Sequence, residues 1–172
     1  MLKGQDIVVL LKLAGLRSEW TVRSLEGDIG ISRAGVHRSL QRLEAAGLYD
    51  AGMRCVNIAQ AEEFLVHAVK YLFPPEMKGE ARGVLTAWAA SPLVDELAPQ
   101  DGLPPVWPDP HGQHRGIAVE PLHSSAPEIS RRDPALAQKL ALVDAMRMGR
   151  ARDRGVAEAL LSSRLMAADP ER

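Results

Sequence analysis

The distribution of proline sets the strongest limit on what this chain can become. Residues 1–73 contain none, whereas residues 74–127 hold ten of the twelve, from Pro74 and Pro75 to Pro127. Proline fixes φ and removes a backbone donor, so long helices are confined to the two flanks. The chain therefore divides into a helix-forming segment 1–73, a proline-rich segment 74–127, and a helix-forming end 128–172 rich in Ala, Leu and Arg. Of the 172 residues, 46% are hydrophobic, which is enough for a real core and excludes wholesale disorder. No apolar run approaches the ~20 residues of a membrane span. The longest, Ile7 to Leu16, is interrupted by Lys12. So short a stretch after Lys3 is also a poor secretory signal, so a cytoplasmic protein with no membrane partner is expected. The net charge of −1 means that any nucleic-acid partner must be met by a local basic patch. The single cysteine, Cys55, excludes an internal disulfide and a cysteine-rich zinc module.

In the first segment, Ile7, Leu10, Leu11 and Ala14 recur at helical spacing, with Gly15 as a stop. A second, shorter helix is expected from the N-cap Thr21 to about Asp28, burying Val22, Leu25 and Ile29. Gly30 tolerates positive φ in the bend that follows, and Ser32 can cap the next helix. That third helix runs from about Arg33 to Ala46 and ends at Gly47. At about 100° per residue, Val36, Leu40 and Leu43 form one apolar stripe. Ala34, His37, Arg38, Gln41 and Ala45 fall opposite, with Arg42 at the flank. This outer face is polar and basic, with small alanines that permit close approach. Arg, Gln and His are suited to donate to base edges and phosphates. Two short extended segments around a turn near Ala51-Gly52 follow, and then a helix from Asn57 to about Phe73.

The run Ser32-Arg33-Ala34-Gly35-Val36-His37-Arg38-Ser39-Leu40-Gln41-Arg42-Leu43-Glu44-Ala45-Ala46-Gly47-Leu48 resembles the recognition-helix signature of bacterial winged helix-turn-helix regulators, the MarR-like proteins and their relatives. That signature is Ser-x-x-x-Val-x-Arg-x-Leu-x-x-Leu-Glu-x-x-Gly-Leu, and every fixed position is met. The resemblance covers about residues 5 to 58. It implies a mainly α fold with an N-terminal winged helix-turn-helix and its following long helix in 1–73. It further implies a DNA interface built from Ser32, Arg33, Ala34, His37, Arg38, Gln41, Arg42 and Arg54. Arg33 and Arg38 would contact phosphate or guanine, and His37 and Gln41 would reach base edges. Ser32 is a cap first and a phosphate contact second. Gly35 stands where Thr is frequent, at a helix cost of ~1 kcal/mol relative to Ala. The wing is short, with Arg54 as its one clear cation.

In the middle segment, Pro105-Val106-Trp107 and Gly116-Ile117-Ala118-Val119 flank the turn-forming Asp109-Pro110-His111-Gly112-Gln113, which predicts a small β-hairpin in an otherwise irregular region. Residues 80–90 are ambiguous between a loop and a short helix. Asp133-Pro134 is a helix start, and a C-terminal helical pair is expected over about 134–149 and 152–166. The arginines Arg147, Arg150, Arg152 and Arg154 lie at the junction of the two; they read first as a solvated junction, with a second phosphate-contacting patch or a surface for an acidic partner protein as the alternatives. Cys55 reads as a small packed residue. Of His111, His114 and His123, the first two straddle a turn and lack a typical helical metal-ligand spacing, and surface histidines near a turn explain them as well, so no metal and no cofactor are expected. No phosphate loop or nucleophile motif suggests an enzyme.

The expected function is a sequence-specific transcriptional regulator that binds double-stranded DNA as a homodimeric repressor. Phe64 to Leu72 or the terminal helices would supply the dimer interface. The alternative is a protein–protein adaptor, such as the antitoxin or immunity component of a two-gene operon, with the product of a neighbouring gene as partner.

Overall fold

The computed structural model describes residues 1–16 and 18–167, so residues 168–172 of the terminal segment lie outside the described residues. The fold is mixed: helices predominate and two small sheets interrupt them. α1 (Gly4–Ala14) packs against α3 (Arg33–Ala45) and α8 (Pro134–Met148). Ile7, Val8, Val9, Leu10 and Leu11 are all buried, so α1 is apolar all round rather than along the single stripe expected from its spacing. α2 (Val22–Ile29) begins where Thr21 Oγ1 accepts the Ser24 N–H at 3.0 Å, and it ends at Gly30 with φ +67°. After α3, a turn joins the short antiparallel strands β1 (Tyr49–Asp50) and β2 (Cys55–Val56), in the expected place. The helix expected through Phe73 is present with an internal change of pitch. It comprises α4 (Ile58–Glu63), a π-helical turn (Phe64–Ala68) and α5 (Val69–Leu72).

The middle segment corrects the hairpin expectation. β4 (Pro105–Pro108) and β5 (His114–Val119) run parallel, and both pair antiparallel with β3 (Met77–Leu85), closing a three-stranded barrel. The Asp109–Gln113 connection does not reverse the chain. It passes over β3 at Gly83, which pairs with Pro108 on one side and His114 on the other. Glycine makes this crossing possible, because a Cβ on Gly112 would overlap the Gly83 backbone. Residues 80–90, ambiguous from sequence, supply the end of β3 and a 3-10 turn (Ala87–Ala89).

Two short helices, α6 (Leu93–Glu96) and α7 (Ala126–Arg132), were not expected; α8 and α9 (Ala151–Met166) form the expected terminal pair. Asp133 caps α8 by accepting the Leu136 N–H at 3.0 Å. Arg147 is no solvated junction residue. Its Nη1 meets Asp144 Oδ1 at 2.6 Å and its Nε donates to the Phe73 carbonyl at 2.7 Å. The other Asp144 oxygen accepts from Thr86 Oγ1 at 2.7 Å and from Trp107 Nε1 at 2.6 Å. This buried knot joins α8, the barrel and the end of α5. The apolar faces expected to form a dimer interface are largely consumed within the chain. Leu65 and Val69 are buried in the core, as are Ala157, Leu161 and Leu165 of α9. Cys55 is exposed rather than packed, because it lies on the outer side of the short β1–β2 ribbon. Among the described residues, no helix is long and apolar enough to cross a membrane.

Candidate nucleic-acid interface

α3 is presented by the elements beneath it. Ser32 Oγ accepts the Gly35 N–H at 3.2 Å and starts the helix. Val36 and Leu43 are buried and Leu40 is half-buried, as the apolar stripe requires. Gly35 is also buried, and a Cβ there would press on the Ile31 methyl at 2.8 Å. Its helix cost is thus offset by close packing at the start of α3. Ser39, also buried, accepts from Gln5 Nε2 at 3.0 Å, which fixes the inner side of α3 to α1.

The opposite face of α3 is open. Ser32, Arg33, Ala34, His37, Arg38, Gln41 and Ala45 are all exposed. Among the described residues, no hydrogen bond or ion pair engages the side chains of His37, Arg38 or Gln41. The other three cations of the expected interface are committed within the chain. Arg42 turns inward, where its Nε and Nη2 donate to Asp6 at 2.8 and 2.6 Å. Asp6 is 0% exposed and also accepts the Lys3 N–H at 2.7 Å. The hydrogen bond to Asp6 holds the Arg42 guanidinium above its ordinary pKa, against the opposing effect of burial. Arg33 pairs with Glu26 through Nε at 2.9 Å. Arg54 lies 4.4 Å above the Trp20 ring and donates to the Trp20 carbonyl at 2.8 Å. That contact ties the β1–β2 turn to the start of α2 and leaves Met53 at the exposed tip.

Sequence reasoning missed Asp6 and Glu26. Asp6 carried a signal, since a carboxylate inside an otherwise apolar helix needs a partner. Glu26 lies on the far side of the Gly30 bend from Arg33, so only the geometry of that bend reveals the pair.

The remaining structure holds α3 in place. Lys12 Nζ bridges Asp28 at 3.1 Å and Asp133 at 2.8 Å, tying α1 to α2 and to the start of α8. Burial alone would raise the Asp133 carboxyl. The hydrogen bond from Lys12 and the Leu136 N–H outweigh it and hold the group below the ordinary carboxylate range. Arg132 of α7 donates to the Gly27 carbonyl at 3.3 Å, so α7 braces the end of α2. Among the described residues, no group of three or more His, Cys, Asp or Glu is placed to hold a metal ion. His111 and His114 are exposed on the barrel, and His123 is engaged through Nδ1 with Ser125 Oγ at 2.8 Å. A cleft of about 320 Å³ between Leu97–Asp101 and the start of α9 mixes Arg150 and Arg152 with Asp101 and Asp153. Compared with known proteins, the chain matches no family model, no curated protein and no solved structure.

Proposed function

We propose that this chain is a sequence-specific DNA-binding transcriptional regulator of winged helix-turn-helix type, acting as a dimeric repressor in the cytoplasm. One observation carries the reading. α3 is buried along one side on α1, α2 and β1, and shows solvent an unbroken stripe of Ala34, His37, Arg38 and Gln41. A helix docking in the major groove needs small residues for approach and donors for base edges. Arg38 can bond guanine bidentately and Gln41 adenine, each worth about 1–3 kcal/mol of discrimination. Arg42 has no part in contact with DNA in this reading, because Asp6 holds it. Arg54 orients the wing through Trp20.

A single reading helix covers one half-site, so a second copy on a pseudo-palindrome is expected. Tyr71 and Leu72, within the stretch first expected to form the interface, and Met77 beyond it are exposed and apolar, and they make the proposed contact between copies. The test is selection of bound duplexes from a random pool, followed by titration of the selected sequence. Gln41→Ala should relax preference at one position per half-site, and Arg38→Ala should weaken binding at least about tenfold. If both alanine variants bind selected and random DNA as the wild type does, α3 is not the reader and the proposal fails.

A further inference from the structure

The pair between Glu26 and Arg33 bears on how the proposed interface separates specific from random DNA. Arg33 is the first residue of α3, at the edge of the open stripe, and its side chain is 65% exposed. Glu26 reaches it from α2, on the far side of the Gly30 bend. One Glu26 carboxylate oxygen accepts from Arg33 Nε at 2.9 Å and the other accepts the Arg33 main-chain N–H at 3.3 Å. These are the donor types that a backbone phosphate oxygen takes from a protein. Glu26 stands in the last turn of α2, where its own carbonyl accepts the Gly30 N–H at 3.0 Å. Its side chain neutralises the cation beyond the bend.

A cation strengthens DNA binding by neutralising a phosphate and releasing a counterion. An arginine already neutralised by a carboxylate of its own chain releases fewer. We infer that Glu26 is an internal counter-anion that withholds Arg33 from the DNA backbone and so lowers affinity for random sequence. This rests on the DNA reading of α3. Backbone contacts carry no sequence information. Withholding one leaves a larger share of the binding free energy to His37, Arg38 and Gln41, which raises discrimination at the expense of total affinity.

The inference predicts a pattern across four proteins: wild type, Glu26→Gln, Arg33→Ala and the double variant. Each is titrated against a random-sequence duplex between 50 and 200 mM salt (about a fourfold range), with a thermal melt alongside. Glu26→Gln should raise affinity and steepen the dependence of log K on log salt by about 0.9, which is about a 3.5-fold greater loss over that range. Arg33→Ala should leave the wild-type slope unchanged, and the double variant should show no steepening. If Glu26→Gln steepens the slope equally without Arg33, the effect is general repulsion and the inference is overturned. If wild type binds duplex DNA, Arg38→Ala weakens it and Glu26→Gln changes nothing, the inference falls while the DNA reading stands. If neither wild type nor Glu26→Gln binds any duplex at 50 mM salt, both fall.

Discussion

Replacing Arg42 by alanine tests whether this arginine belongs to the core or to the exposed face of α3 proposed to meet DNA. Its side chain is 20% exposed and that of its partner Asp6 is 0% exposed. Among the described residues, three donors satisfy Asp6, and two of them come from Arg42. Arg42→Ala leaves a buried carboxylate with the Lys3 N–H alone. Removing one partner of a buried pair costs about 3–5 kcal/mol, because the remaining charge stays desolvated. The Arg42 side chain is not fully buried, so water can reach the vacated space, which places the expected cost near the lower figure, about 3 kcal/mol. For a chain of this length that lowers Tm by about 6–12 °C. The exposed Arg33–Glu26 pair, by contrast, is worth at most about 1 kcal/mol, so Arg33→Ala should move Tm by less than about 4 °C. Removing both charges together, with Asp6→Leu and Arg42→Met, should restore most of the loss, since no unpaired charge remains buried. Circular-dichroism melts of the three variants and the wild type measure this directly. An Arg42→Ala melt within about 2 °C of wild type would refute the reasoning and return Arg42 to the list of free surface cations.

Three further outcomes follow from the structure. The Arg131 guanidinium, 2.5 Å from Asp109, and the His111 N–H hold the Asp109 carboxyl below the ordinary carboxylate range. Its contribution to stability is therefore complete above the ordinary value and is lost as pH falls through the lowered one; Asp109→Asn should flatten that part of the Tm–pH curve. Burial pushes the Lys139 ammonium below its ordinary pKa, and its Nζ reaches the Leu11 carbonyl at 3.4 Å. The unfolded chain binds more protons between the lowered value and about 10.4, so stability should rise with pH across that window and Lys139→Met should abolish the rise. Gly112→Ala forces a Cβ into the Gly83 backbone. It should cost about 3 kcal/mol or more and shift the fluorescence of the buried Trp107, and a melt equal to wild type would contradict the crossing geometry.

What the sequence revealed was local. Thr21, Ser32 and Asp133 announced helix starts because a cap is made with a residue three positions on. The outer stripe of α3 was legible because helical spacing alone sorts Val36 and Leu43 from His37, Arg38 and Gln41. The barrel was not legible. Asp109-Pro110 and Gly112 have the composition of a reversing turn, yet the strand that pairs with both flanks lies more than twenty residues upstream. That strand carries glycine and alternating charges rather than an apolar pattern, since much of it faces solvent. The roles of Arg33, Arg42 and Arg54 were illegible for the same reason. Each depends on a partner brought close only by folding: Glu26, Asp6 and Trp20.

α1 explains why the N-terminal and C-terminal parts act as one body. A helix with a single apolar stripe could complete a three-helix unit by itself, with its polar side in water. α1 has no such side between Asp6 and Leu11, all of whose residues are buried. One flank meets α3 and another meets α8, so both ends of the chain draw on the same apolar surface. Lys12 then fixes the angle between them through Asp28 and Asp133, and Arg132 fixes it again at Gly27. The outer stripe of α3 is consequently held in register with α7, α8 and α9 by packed side chains and ion pairs, not by a tether. If two such bodies pair on DNA as proposed, the spacing of their α3 stripes would follow from where the copies touch, since each stripe is fixed to its own body by these contacts.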